Sequence, residues 1–412
     1  MARQVAAHRV VLLKNDPVGE RPVLPLDEGR SLAVIGEFAQ TPRYQGGGSS
    51  HVNPTRVDIP LEEIRALAGD GVTYAPGFTT DGSGDAAALR GEAARTAAAA
   101  ETAVVFLGLA AHQSPRLRPR EHRNPVEQLE TLAEVVRAQP RTAVVLSHGG
   151  ALRLAPVADL APAVFDGALL GQAGGGAIAD VLFGLVSPSA RLTETVPMRI
   201  QDTPAYLDFP GEHSHVAYGE GLFVGYRWYD AREIPVTFPF GHGLSYTSFA
   251  YADLQLAADD QGITARVTVT QHRRTFRTRN RPVLRRQAGL LGDSTGPGAQ
   301  AHAVVDLAPG ESERVRVLIE REDLAYWDIR GERWVVEGGD YEVRAAASSR
   351  DIRSAATVEV TGDEFVLPLT PSSTLGEVAG RAWRRRGTEH ADADAGGRRR
   401  QRRPRRHRHC QR

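Results

Sequence analysis

Four stretches of nearly continuous apolar residues, Leu32 to Gly36, Thr102 to Leu109, Thr142 to Leu146 and Ala163 to Phe165, stand between glycine, proline or polar residues. Short runs without polar alternation predict strands covered on both faces, the pattern of a parallel sheet. Between the second and third, Leu129, Leu132, Val135 and Val136 recur at helical spacing within Val126 to Ala138, and Ala177 to Phe183 repeats the pattern after the fourth. Strand and helix alternate with short links, which predicts a layered α/β domain ending near residue 200. From 202 to 249 the texture changes to Pro, Gly and aromatic residues with little periodicity, as in an ordered connection crossing a domain surface. Beyond 250, alternating segments such as Arg314-Val315-Arg316-Val317 and Tyr341-Glu342-Val343-Arg344 are separated by turns such as Ala308-Pro309-Gly310-Glu311. These predict the strands of a β-sandwich.

Composition adds limits. The chain has 412 residues, of which 41% are hydrophobic and 24% charged, and its formal net charge is zero, so no global field steers it toward nucleic acid. A single cysteine, Cys410, excludes an internal disulfide framework. No apolar run approaches the ~20 residues a membrane helix needs, and the N-terminus lacks a basic region followed by an apolar core, so the expected location is cytoplasmic, with no membrane partner. Lys14 is the only lysine while Arg, Ala, Gly and Pro abound, the signature of a GC-rich coding sequence.

The candidate chemistry begins after the first buried strand. Arg43-Tyr44-Gln45-Gly46-Gly47-Gly48-Ser49-Ser50 places three glycines and two serines where a polar ligand can approach backbone N–H and hydroxyl groups. Gly174, Gly175 and Gly176 open a helix, but no Gly-Lys-Ser/Thr follows and the first strand lacks a GxGxxG pattern, which argues against nucleotide binding. His242 sits in an aromatic segment that predicts packing rather than catalysis. His407, His409 and Cys410 lack a partner cluster at ligand spacing, and no metal or cofactor is implied.

Five motifs occur in a fixed order: Val10 to Asp16, Arg43 to Ser50, Gly171 to Gly176, Asp202 to Tyr206 and Phe238 to Tyr246. Together they resemble the C-terminal part of glycoside hydrolase family 3, the β-glucosidase family, over roughly residues 3 to 375. The resemblance implies a layered α/β sandwich with a mainly parallel sheet over 1–201, an ordered linker over 202–249 and an all-β, fibronectin type III-like (immunoglobulin-like) sandwich over 250–370. It implies a retaining glycosidase whose aspartate nucleophile lies on a barrel preceding this region, Ala2 to Arg9 being the helix that joins the two. The nucleophile is then absent, and the chain is a fragment expected to be inactive alone. Its partners are a β-glucoside or oligosaccharide substrate and a separately encoded barrel, and Arg43, Gln45, Gly46, Gly47, Gly48, Ser49 and Ser50 are the candidate substrate-binding residues. The other reading is a non-catalytic carbohydrate-binding or interaction module that holds sugars on the Gly/Ser loop and on aromatics such as Trp228 and Tyr229.

Retaining hydrolysis needs two carboxyl groups about 5 to 5.5 Å apart. The family places the acid/base in a pattern like ExEGxDR after the strand matching Thr102 to Leu109, whereas this chain reads Ala111-His112-Gln113-Ser114-Pro115-Arg116-Leu117-Arg118-Pro119-Arg120-Glu121-His122-Arg123. Glu121 is the one nearby carboxylate, and Arg120, His122 and Arg123 favour its ionised form, the wrong state for a general acid.

A displaced reading frame accounts for the departure. Arg116 to Arg120, written AGG CTA CGA CCG CGN, becomes Gly-Tyr-Asp-Arg when the frame moves by one nucleotide. In the same way Gln271-His272-Arg273-Arg274 conceals Asn-Thr-Gly, and Leu284-Arg285-Arg286-Gln287 conceals Tyr-Val-Gly. Residues 271–300, rich in arginine, are accordingly expected to be a disordered insertion that disrupts the second sandwich, and 371–412 a basic disordered tail. Resequencing the gene is expected to find these codons; unrelated codons in one uninterrupted frame would contradict the account.

Overall fold

The computed structural model describes residues 1–110, 125–272, 284–293, 297–364 and 370–376. The order of the first part is α1 (Ala2–Ala7), β1 (Val11–Asn15), β2 (Leu32–Ile35), α2 (Pro60–Ala68), β3 (Val72–Ala75), α3 (Ala86–Ala98), β4 (Thr102–Gly108), α4 (Val126–Ala138), β5 (Thr142–Ser147), α5 (Ala155–Leu160), β6 (Ala163–Asp166) and α6 (Gly174–Leu182). The strands form one sheet in the order β1-β6-β5-β4-β2-β3, parallel except for β1, which runs antiparallel to β6. β2, β4, β5 and β6 are buried along their whole length, as their unbroken apolar runs predict.

Edges are covered or weakly apolar. β1 closes one side, and its outer face is taken by the segment around His242: Leu244 donates its N–H to the Leu12 carbonyl at 2.7 Å, and His242 Nε2 lies 2.7 Å from the Leu13 carbonyl oxygen. The His242 ring stacks on Phe238 at 5.0 Å, so this histidine is packed, as expected. β3 forms the opposite edge, with only Ala75 fully buried, and so lacks the apolar run that marks the inner strands.

The three glycines that open α6 serve close packing. A β-carbon at Gly175 would lie 2.3 Å from the Asp58 carbonyl oxygen, and one at Gly176 would lie 2.5 Å from the Arg3 guanidinium. That space lets Arg3 reach Asp180 with Nε and Nη2, both at 2.7 Å, and Glu63 with Nη1 at 2.7 Å. α1, α2 and α6 are thereby joined by one guanidinium whose charge is fully matched, which pushes its pKa up.

After α6 come α7 (Tyr226–Ala231) and seven long strands: β7 (Phe249–Asp259), β8 (Gly262–Gln271), β9 (Leu284–Asp293), β10 (Pro297–Leu307), β11 (Ser312–Glu320), β12 (Gly339–Ser348) and β13 (Asp351–Val360). They make a three-stranded sheet, β7-β8-β11, and a four-stranded sheet, β10-β9-β12-β13, all antiparallel. Alternate residues Ile263, Ala265, Val267 and Val269 of β8 and Tyr341, Val343 and Ala345 of β12 are buried, the period-two pattern of a sandwich.

Within the stretch expected to be disrupted, the backbone of β9 pairs with β10 and β12. Residues 273–283 and 294–296 lie outside the described residues, as does the tail from 377 onward. These sheets and the α/β layers belong to one compact unit, Met1–Leu324 with Glu337–Thr361. A second unit contains Ala325–Val336 and the described residues from Gly362 onward. In it Tyr326–Asp328 and Arg333–Val335 pair as a hairpin, with Trp327 edge-on to Trp334 at 5.7 Å and the Asp328 carboxylate accepting from the Arg330 and Gly331 N–H groups in the turn.

Candidate functional site

Because the inner strands are buried on both faces, polar side chains gather where the strands end. At the carboxyl end of β2 the chain turns sharply at Gly36, whose φ is +110° and whose β-carbon would lie 2.2 Å from the Phe106 carbonyl oxygen, so only glycine fits. The chain then returns over the sheet edge through Arg43. This arginine is buried, and its Nη1 donates to the carbonyls of Leu109 and Ala110, just past the end of β4. Next along, the Tyr44 carbonyl accepts the Gly171 N–H at 2.8 Å, which joins the loop to the chain beyond β6.

Gln45 closes the Gly/Ser loop on itself. Its Oε1 accepts the Val52 N–H at 2.9 Å, while its Nε2 donates to the Val52 carbonyl at 2.8 Å and to the Tyr44 hydroxyl at 3.0 Å. Its role is to fix the loop, with backbone groups rather than the amide left to face a ligand. Gly46 and Gly47 are half-buried, Gly48 and Ser49 are exposed, and Gly48–Ser50 form a short 3-10 turn. Arg43 and the 45–50 loop are therefore brought to one edge of the sheet, whereas Glu121 lies outside the described residues.

Sequence reasoning did not single out a second cluster at the same edge. His148 follows β5, with Nδ1 2.7 Å from the Gly150 carbonyl oxygen and Nε2 3.2 Å from Asp166 Oδ1 at the end of β6. Asp166 Oδ1 also accepts the Ala168 N–H at 2.9 Å. Both ring nitrogens face oxygens, so the doubly protonated imidazolium satisfies the site best. Burial pushes the His148 pKa down, but the close carboxylate of Asp166, the Gly150 carbonyl and the charge of Glu194 outweigh it, and the net shift is upward. Glu194 is itself pushed up, first by burial and then by the Asp166 charge, against a smaller opposing pull from His148. The signal in the sequence was faint: a histidine and an aspartate, each at a strand end followed by glycine or near it.

A cavity of about 970 Å³ lies between Arg199, Asp202, Tyr206, Trp228, Arg232 and neighbouring residues. Trp228 is already engaged there: its indole N–H donates to the Asp202 carbonyl at 3.1 Å, and the Arg232 guanidinium lies 4.3 Å over its ring. Tyr229 is buried, its hydroxyl pKa pushed up to about 12 by burial and by the charges of Asp202 and Glu194. The expectation that Tyr229 offers a face to a sugar is thus corrected, since its ring is inside the fold, whereas Trp228, covered on one face by Arg232, lines the cavity. Among the described residues no group of three or more His, Cys, Asp or Glu is placed to hold a metal ion, and no helix is long and apolar enough to cross a membrane.

The family model described as the glycosyl hydrolase family 3 C-terminal domain matches residues 10–246. The chain belongs to that family. A fibronectin type III-like model matches 300–349 as well, in agreement with the antiparallel sheets. The exo-alpha-(1->6)-L-arabinopyranosidase of Bifidobacterium longum is 39% identical over 92% of this chain and 51% of its own length, and thermostable beta-glucosidase B of Acetivibrio thermocellus is 38% identical over 87% and 48%. The crystal structure of a family 3 beta-glucosidase from Bifidobacterium adolescentis superposes with a TM-score of 0.84 at 39% identity, covering 91% of this chain and 55% of that one. The chain spans about half the length of the curated relatives it matches.

The family 3 α/β layer should show a pH signature of its histidine. A folded pKa above the unfolded one means that the folded state holds the proton more tightly. That stabilisation is fully present below the ordinary histidine value of ~6.5 and is lost as pH rises through the folded value. The raised Glu194 pKa acts in the same direction at lower pH. In urea unfolding, His148→Asn is expected to lose stability relative to the parent at about pH 5.5 and to lie closer to it at about pH 8.5. A difference that is constant with pH would remove the imidazolium from the account.

Proposed function

We propose that this chain is the sugar-binding part of a β-glucosidase-type retaining glycosidase, acting on O-glycosyl bonds of β-glucosides or oligosaccharides and supplying no nucleophile of its own. In this reading 1–201 is the α/β sandwich, 202–249 the ordered linker and 250–370 the fibronectin type III-like domain. The observation that carries it is the Gly/Ser loop, held at the carboxyl edge of the parallel sheet by Arg43 on the end of β4 and by Tyr44 on the turn after β6. In open α/β sheets ligands bind outside the carboxyl ends of the strands, where side chains and loop amides converge. Support also comes from relatives named for cleavage of β-glucosides and of α-(1→6)-linked L-arabinopyranosides.

The chemistry limits what the loop can do alone. Retention requires one carboxylate to attack the anomeric carbon and a second carboxyl to protonate the leaving oxygen. At this edge Asp166 is tied to His148 and to the Ala168 N–H, and its environment serves a buried ion pair rather than an open nucleophile. The loop binds and orients sugar hydroxyls, and the attacking carboxylate comes from outside these residues. A binding module built on aromatic stacking has less support, because Tyr229 is buried and Arg232 covers one face of Trp228.

The test is hydrolysis of a chromogenic aryl β-glucoside by the purified chain, with and without a separately expressed barrel from a relative. No release above the buffer blank is expected from the chain alone. Turnover by the chain alone would contradict the proposal and require a carboxylate pair within it, whereas turnover restored by the barrel would assign a working acid/base to this chain.

A further inference from the structure

The most anomalous polar group in the described structure is the guanidinium of Arg43. The residue is only 8% exposed, and its Nη1 is used on the Leu109 and Ala110 carbonyls. Its other edge, Nε together with Nη2, has no acceptor among the described residues. Buried donors are nearly always satisfied, and a guanidinium cannot shed its charge to escape the cost. Burial depresses its pKa.

The chain itself shows what such an edge accepts. Arg3 uses the same pair of nitrogens, Nε and Nη2, to hold both oxygens of Asp180 at 2.7 Å each, while its Nη1 is occupied elsewhere, on Glu63. The two arginines have the same division of labour, except that among the described residues no carboxylate meets Arg43. Parallel N–H groups 2.7–2.9 Å from two oxygens are the geometry in which arginine prefers carboxylates over neutral acceptors. Arg43 directly precedes the Gly/Ser loop in the chain, and Tyr44 between them is held to Gly171.

We propose that the Nε–Nη2 edge of Arg43 is a carboxylate-binding site at the carboxyl edge of the parallel sheet. The carboxylate is held side-on, as Asp180 is held by Arg3, and its charge compensates the buried cation. The same chemistry has two sources: the acid group of a uronate or its glycoside, lying on the Gly/Ser loop, or a carboxylate side chain of a protein. The first source deepens the sugar-loop reading and rests on it; the second stands without it.

The experiment compares the thermal unfolding of the full chain in sodium glucuronate, sodium acetate and glucose, each at ionic strength matched with sodium chloride. A saturable rise in Tm of about 3 °C or more with glucuronate and none with acetate would identify an acidic sugar. Equal rises with both carboxylates would identify a bare carboxylate pocket, filled naturally by a side chain. Either rise is expected to disappear in Arg43→Met and in Arg43→Lys. The lysine variant keeps the charge but not the two-pronged edge, and it serves if the methionine variant folds poorly. No carboxylate effect beyond chloride, or one that persists in both variants, would overturn the proposal. A glucose shift without a carboxylate shift would leave the sugar loop standing and remove this site, and equal rises with both carboxylates without a glucose shift would remove the sugar loop and leave this site.

Discussion

Burial of the central strands on both faces is the constraint from which the rest follows. β2, β4, β5 and β6 expose no polar side chain along their length to a solvated face, so charged and hydrogen-bonding groups can emerge only where the strands stop. The parallel direction sends four successive loops to the same edge. Arg43, the Gly/Ser loop, His148 and Asp166 all stand there, although they lie as much as 123 residues apart in the chain. Close packing elsewhere keeps this edge in place: Gly36 admits the turn against Phe106, and Gly175 and Gly176 let α6 approach Asp58 and Arg3.

The buried and half-buried charges at Arg3, His148 and Arg43 fall into two kinds. Arg3 is compensated by Asp180 and Glu63, and His148 by Asp166 with Glu194 near it. Such pairs add little net stability over an apolar replacement but fix geometry, because breaking one leaves a charge stranded in low dielectric. Arg43 is the other kind, a cation that holds the end of β4 with one nitrogen and has two donors without an acceptor among the described residues. Compensated charges belong to the scaffold, and one left without a counter-charge among the described residues is what the carboxylate proposal rests on.

Long-range order in the sequence was legible to the extent that packing wrote it locally. The four buried strands and the helices α4 and α6 follow from apolar runs and helical spacing, and the alternation in 314–317 and 341–344 marks sandwich strands. β3 escaped because an edge strand of four residues, Val-Thr-Tyr-Ala, carries no apolar run; α3 escaped because an alanine-rich helix that buries only Ala93 and Ala97 has almost no contrast between its faces. The loop 43–50 was recognisable from glycine and serine, yet Gln45 looked like a ligand group and instead ties Val52. His148 and Asp166 meet only across adjacent strands, 18 positions apart, a juxtaposition that no local pattern encodes. Trp228 and Tyr229 illustrate the converse, aromatic side chains whose availability depends on neighbours the sequence does not place beside them.

The central claim is that sugar is received by the loop at the carboxyl edge of the parallel sheet. Amide hydrogen exchange of the intact chain, measured by mass spectrometry with and without glucose, tests it most directly. The account predicts slower exchange confined to the peptides that carry Gly46 to Ser50 and the turn around Gly171. Protection that appears instead around the cavity of Trp228 and Arg232, or nowhere, would contradict it.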